Sequence, residues 1–363
     1  MDLVEKAAAT NFRDLANFTF MHIIEAEITI AAKKLDVGLH EDAVENLRKA
    51  RALLDRLPPE DVGFLNSRIC RLMGRALSAN NLTFNEAMEE FQKSVSFGTA
   101  SNAHYDVALS WKGMASICRR SGRFSESHDY YNRALAAIGP MEAKSRNEKT
   151  KKLNAEALIL SGLASVNMNL SDYEAAIEFN ERSISIFKEI GNGSEAGRVY
   201  SNLAKVYEEM GKYEMAVDCY ENAVKHTTGS GSLLHHGLYL ISLVNILIDM
   251  QEMAEAKVQL EKAEHILSNF SDPLAVSKLN CMWGKYHREK AEWDDGIERF
   301  RMSIEAVIGA NALDQLARTR EEFGIMYLKK GDGHRAIEVL QEALDWYIEM
   351  DDRAKIPKLQ DLI

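Results

Sequence analysis

Proline is scarce in this sequence, five in 363 residues, and cysteine scarcer, with four. So few prolines leave helices uninterrupted, and abundant Ala, Leu, Glu and Lys favour them. The cysteines, at positions 70, 118, 219 and 281, form neither close pairs nor a CxxC. A disulfide framework and a structural zinc site are therefore unsupported, and a reducing compartment is expected. Positive charge is in deficit: 44 Lys and Arg against 55 Asp and Glu leave a net charge of −11. Such a surface repels phosphate and anionic membranes, so no nucleic-acid partner is expected. The longest apolar stretch, Leu238 to Ile248, falls short of the ~20 residues of a membrane span, which argues against membrane insertion. The start, MDLVEKAAATNFRDL, lacks the basic and apolar segments of a secretory signal. By elimination the expectation is a soluble, cytoplasmic protein. What is present is ordinary globular composition, 46% hydrophobic and 27% charged, enough to bury a large core.

A repeat organises the chain. In GRVYSNLAKVYEEMGKYEMAVDCYENAV, starting at Gly197, apolar and small residues recur at helical spacing. Leu203, Ala204 and Tyr207 belong to one stretch, and Ala216, Tyr220 and Ala223 to the next. Two short amphipathic helices with a tight turn at Gly211 satisfy this pattern. The pattern returns every 40 residues, at 157, 237, 277 and 317, and more loosely near 108, 67 and 24. Eight helix pairs result, none of which can bury its own apolar face without a neighbour.

AKVYEEMGKYEMAVDCYENAV and EEFGIMYLKKGDGHRAIEVLQEAL resemble the tetratricopeptide repeat (TPR) family. Its motif sets a large and a small residue side by side in helix A, an aromatic three residues on, and a small, bulky, small series in helix B. The resemblance covers roughly residues 24 to 350 and implies an all-α, right-handed superhelix, an alpha-alpha solenoid of about eight helix-turn-helix units. The first unit departs from the motif by lacking the aromatic, and the second carries an extra residue in the turn SANNLTFNEAM. A unit of 40 residues exceeds the family's usual ~34, which implies longer helices or longer links. Long units of this kind are similar to those of kinesin light chain, the LGN/Pins adaptors and the Rap-type bacterial regulators, whose solenoids bind peptide segments.

The expected organisation is a capping segment over 1–23, looser units over 24–140, a polar insert over 141–156, regular units over 157–350, and a cap or the start of a further repeat over 351–363. The insert, MEAKSRNEKTKK after Pro140, reads as a solvated link or a helix extension. Pro357 sits at a favourable first helical position. Residues 1–23, with Phe12, Leu15, Phe18 and Phe20, extend or cap the first helix.

Motifs for chemistry are missing. Neither a Walker A sequence nor GxGxxG occurs. The glycine clusters IGNGSEAG (190–197) and TTGSGSLL (227–234) fall between units, where turns explain them. His235 and His236 lack the partners of a metal site. The cysteines read as small buried hydrophobes and the scattered methionines as adaptable packing. Acidic pairs such as Glu208 with Glu209 and Asp294 with Asp295 fall on helix surfaces and ends. The expectation is no catalytic residue, no metal and no cofactor.

In the TPR family the concave face carries the ligand, through the second, fifth, sixth, ninth, twelfth and thirteenth residues of each unit. Carried onto this sequence, that face holds Arg68, Arg71 and Arg75; Lys112, Arg119 and Arg120; Arg198, Asn202 and Lys205; Asn245; Lys278, Lys285 and Arg288; Arg318 and Lys329. Carboxylates there are fewer, notably Glu208, Glu209, Asp249, Glu289, Glu321 and Glu322. Asn202, one turn after Arg198, resembles the asparagine with which long-repeat members clamp ligand backbone. Arginine forks and asparagine amides on rigid helices suit an acidic peptide. The bland alternative is a solvated wall. The full carboxylate clamp of chaperone-binding repeats is not reproduced.

The function expected is a non-catalytic adaptor or signalling scaffold holding an extended or helical, acidic segment of a protein partner in its groove. The alternative is a peptide-responsive regulator of the Rap or pheromone-receptor type, in which ligand binding changes superhelix compaction. Self-association through an uncapped terminal helix is a further option.

Overall fold

The 40-residue step is written first into the backbone. In the computed structural model, positive φ recurs at Ser171 (60°), Gly211 (69°), Gln251 (64°), Ala291 (58°) and Gly331 (86°). Each ends a helix by the same device. At Gly211 the amide donates to the Glu208 carbonyl, and the Lys212 amide reaches back to the Tyr207 carbonyl at 2.9 Å. The pair of bonds satisfies carbonyls that the helix leaves open. Glycine adopts this left-handed turn freely, whereas Ser171, Gln251 and Ala291 hold it at a steric cost.

The structure describes residues 2–227, 233–310, 312–350 and 355–363, with the side chains of 2–15 and 59–61 outside that description. Phe12, Leu15 and most of the TTGSGSLL link thus lie outside the described residues as regards side chains or backbone. Among the described residues there are seventeen α-helices and no strand. They are α1 (Asp2–Asp36), α2 (His40–Leu54), α3 (Pro59–Leu77), α4 (Phe84–Ala100), α5 (His104–Arg120), α6 (Phe124–Ile138), α7 (Arg146–Asn169), α8 (Tyr173–Glu189), α9 (Gly193–Glu209), α10 (Tyr213–Thr227), α11 (Leu233–Asp249), α12 (Met253–Leu267), α13 (Pro273–Glu289), α14 (Trp293–Val307), α15 (Leu313–Lys330), α16 (Gly333–Glu349) and α17 (Lys355–Gln360). Sixteen of them pair into eight helix-turn-helix units, with odd-numbered helices as A and even-numbered as B. The chain is an all-α solenoid of such units. The regular A helices α9, α11 and α13 each have 17 residues and begin four residues before the motif register, so one added turn accounts for much of the extra unit length. Caps set several starts: Asn192 accepts from the Glu195 amide, Asp272 from Ala275 and Asp332 from Arg335, each filling a donor the first turn leaves open.

The chain forms two compact units, Met1–Gly191 and Asn192–Ile363. In the first, α1 is one continuous helix; Phe18 lies exposed on it and Phe20 packs against the core and under Arg56. Ser145 caps α7, whose 24 residues absorb most of the polar segment after Pro140. In the second, α17 sets Leu359 on Ala317, Ala343, Leu344 and Tyr347, covering the last pair. Pro357 falls within the first turn of α17.

Close packing inside a pair follows one rule. A small residue on helix A faces a bulky one 16 positions later on helix B, as in Gly284 with Phe300 and Gly324 with Leu340. A Cβ on Gly284 would meet the Phe300 ring at 2.8 Å, so only glycine lets these helices approach so closely. In the second pair the offset is 17, Gly74 with Phe91, because of the extra residue in its turn.

One position breaks the rule. Asn180 occupies the bulky apolar place on α8 opposite Ala164, 1% exposed, and neither polar atom of its amide finds a partner among the described residues. A buried amide without partners costs ~1–3 kcal/mol. Asn180→Leu is therefore expected to raise the melting temperature of the chain by several degrees; an unchanged or lower value in differential scanning calorimetry would show that the amide is satisfied in solution.

Candidate functional site

The residues expected on the inner face fall on helices A, and a residue's nearest neighbour along the stack is one repeat away. Hydrogen bonds at the repeat step make this visible: Lys285 to Asn245 and Lys329 to Glu289 each join residues 40 apart. In the second unit α13 packs between α11 and α15, so its inner residues meet partners from both sides.

Lys285 and Arg288 are consumed by such partners. Lys285, 5% exposed, donates to Asn245 Oδ1 at 2.5 Å and lies 3.6 Å from carboxylates of both Asp249 and Glu322. Arg288, 7% exposed, reaches Glu322 at 2.6 Å and Glu289 at 2.9 Å, and Lys329 pairs with Glu289 at 2.7 Å. Burial opposes the charge on Glu322, but Lys285 and Arg288 outweigh it and hold the carboxyl below its ordinary range. Burial likewise opposes the Arg288 cation, and Glu322 and Glu289 outweigh it. Asn245, Lys285 and Arg288 are thus satisfied within the fold, in a ladder that ties three helices together.

Other basic residues of this unit share a different environment. Lys278 is half-buried on α13. Its ammonium is held below the ordinary lysine range, first by burial and then by the positive charges of Lys205 on α9 and Arg318 on α15, against Asp314 and Asp272. Two of the expected groove residues therefore act on a third from other A helices. Neither Lys205 nor Lys278 forms an ion pair among the described residues; Arg318 is 3.2 Å from Asp314 on its own helix. One turn before Lys205 stands half-buried Asn202. Arg198 is clasped by Glu195, at 2.8 Å through Nε and 2.7 Å through a terminal nitrogen, a pair readable in the sequence from its i, i+3 spacing. Glu208, half-buried on the same helix as Lys205, accepts from the Tyr220 hydroxyl; burial pushes its carboxyl up, against that hydrogen bond and the charge of Lys205.

In the first unit Lys112 and Arg119 are half-buried on α5. Arg120 instead holds the preceding turn, donating to the Ser78 carbonyl and the Asn81 side chain at 2.7 Å each and lying 4.7 Å over the Phe84 ring.

Chemically reactive groups are subdued. All four cysteines are buried, and burial pushes the Cys70 thiol up to about 11 and that of Cys281 to about 12, far from a thiolate nucleophile. His236 lies 3.1 Å from the Thr227 hydroxyl. Among the described residues one group could offer metal ligands, His287, Glu292 and Asp295, whose ligand atoms lie within 4.8 Å of one another. Its core is a 2.6 Å hydrogen bond from His287 to Glu292 that closes the α13–α14 turn. Sequence reading missed this group because the spacing spans a turn and matches no standard motif.

Residues 155–227 match the family model described as "Tetratricopeptide repeat". Residues 155–227 are therefore a tetratricopeptide-repeat segment. No curated protein matches its sequence. Among solved structures, the TPR fold is similar to the apo form of RapI, with a TM-score of 0.62 and 14% identity over 79% of this chain and 99% of that one. It is also similar to aspartyl phosphate phosphatase F from Bacillus subtilis, with a TM-score of 0.60 and 14% identity over 89% and 93%. NprR in complex with its cognate peptide NprX gives a TM-score of 0.54 and 13% identity over 93% and 83%. At such identities the likeness is one of fold. No helix among the described residues is long and apolar enough to cross a membrane.

Proposed function

We propose that this TPR chain is a non-catalytic recognition protein of the cytoplasm, an adaptor or regulatory scaffold that holds an acidic segment of a partner against the A helices of its C-terminal unit. The observation that carries this reading is the positive field of Lys205 and Arg318 at half-buried Lys278, which has no ion pair of its own among the described residues. Like charges gathered around half-buried Lys278, two of them without an ion pair of their own among the described residues, are stabilised by an anionic ligand and cost energy without one. Asn202 beside them can donate to a peptide carbonyl and accept from a peptide amide, gripping main chain irrespective of sequence.

A second reading is supported by the similarity to NprR, which was solved with a peptide. In it the ligand is a short peptide signal that changes the compaction of the helix stack, as in a Rap-type regulator. Small-angle scattering separates the two, because a regulator changes its radius of gyration on binding and an adaptor does not.

The test is a peptide array probed with the purified chain. Acidic peptides should be retained, less so at high salt. Lys205→Glu with Arg318→Glu removes two exposed cations at little cost to folding, and should weaken binding about a hundredfold, as expected for two charged contacts. Undiminished binding of acidic peptides by this folded variant would place the site elsewhere.

A further inference from the structure

The first helix has two apolar faces, and its own unit covers one of them. Ile24, Ile28, Ala31 and Leu35 on α1 are at most 4% exposed and belong to the core shared with α2 and α3. Another side of the same helix presents Thr19, Ile23, Ala26, Ile30 and Lys33, with Val37 just past the last turn, and all six are exposed. Ile23 is 42%, Ile30 44% and Val37 72% exposed. The steps between these positions alternate four and three residues, the period of a coiled-coil seam and narrower than the stripe with which a helix faces a globular core. In the sequence the alternation runs on upstream through Ala16 and Phe12.

The length of α1 points the same way. It has 35 residues against 15 in α2, and no other pair among the described residues is so unequal. More than half of α1 thus outruns the helix it pairs with. Helices in proteins draw most of their stability from packing an apolar face, so such an overhang calls for a surface to lie on.

A single occupant meets both conditions. A second α1 laid antiparallel on the first carries the same seam, so that residues 2–18 of each copy lie along 19–37 of the other and both overhangs gain a packing face. Lys33 fixes the direction. Parallel helices would set both copies of Lys33 in one layer, like charge against like, whereas antiparallel helices carry them apart.

We propose that the chain forms a twofold dimer through antiparallel pairing of α1, with Ile23, Ile30 and Val37 removed from water in the seam. The proposal rests on α1 and not on the reading of Lys205, Lys278 and Arg318.

The test is sedimentation equilibrium of the full chain across the micromolar range. The wild-type chain should form a reversible dimer of twice its 40.8 kDa mass. Ile23→Glu with Ile30→Glu places carboxylates in the seam of both copies and should weaken the dimer about a hundredfold. Neither residue is buried in the single chain, so the circular dichroism of this variant should be unchanged. Lys33→Leu should tighten the dimer about tenfold, since a lysine in a seam costs stability, whereas Lys257→Leu on α12 should leave it as it is. The Lys33 variant keeps the test decisive should the double variant fail to fold. Spin labels on Asp36→Cys, selective because the four native cysteines are buried, should lie about 40 Å apart in the antiparallel dimer at ~1.5 Å per residue of helix; a parallel dimer would set them side by side. A monomer throughout, a species larger than a dimer, a dimer indifferent to the two glutamates, or labels side by side would overturn the proposal.

Discussion

Arg288→Ala is expected to destabilise the C-terminal unit by about 3–5 kcal/mol, the usual cost of removing one partner from a buried ion pair. Arg288 is 7% exposed, and the carboxylates it serves, Glu289 and Glu322, have side chains 13% and 25% exposed. Truncation strands both negative charges where water reaches them poorly. At roughly 2–4 °C per kcal/mol for a unit of this size, the melting temperature should fall by about 6–20 °C, with faster hydrogen exchange in α13 and α15. The pH dependence has a definite sign. Glu289 and Glu322 are held below their ordinary range in the folded chain, so their contribution is present at neutral pH and lost as pH falls through their depressed values. The variant should lose less on acidification than the wild-type chain. A fall of under 2 °C would mean that Lys285 and Lys329 suffice without Arg288.

Gly162→Val should damage the N-terminal unit by about 3 kcal/mol or more. A Cβ at Gly162 on α7 would lie 2.2 Å from Cε1 and 2.7 Å from the hydroxyl oxygen of Tyr131. Tyr131 is itself 3% exposed, packed among Ala115, Ala134, Ile159 and Leu163, so its ring has nowhere to go, and overpacking of this kind forces backbone to move. Gly333→Ala is the control. Nothing lies within 4 Å of a Cβ there, and alanine's better helix propensity should make the change neutral or stabilising by up to ~1 kcal/mol. Urea denaturation of both variants checks the pair; equal midpoints would contradict the close approach of α7 to α6.

How far the sequence reaches can be judged from particular residues. The turn at Gly211, the small-to-bulky pairing of Ala204 with Tyr220, and their return at 40-residue intervals are local and periodic. They were legible because helix pairing uses contacts 16 residues apart and the stack repeats one solution. The same register also put Asn245 and Lys285, and Glu289 and Lys329, at matching places in adjacent units, so their contacts were implicit in it. Their strength was not. Counted by sign, Lys285 and Arg288 looked like groove cations; in the fold they are buried and matched by Glu322, Glu289 and Asp249. Asn180 gave no sign of its isolation, since an asparagine reads the same whether or not its amide is met.

Composition and periodicity by themselves determined that this chain is an all-α stack of helix pairs, since a 3.6-residue apolar period and a 40-residue step held over the last five units allow few other ways to bury the apolar faces. Only the tertiary structure decided which charges remain available. Burial and neighbouring charges set the worth of each ionic group, and both depend on residues a full repeat or more away. The structure therefore separates Lys205, Lys278 and Arg318 from the satisfied ladder beside them, and leaves the seam of Ile23, Ile30 and Val37 exposed while the other apolar face of α1 is buried.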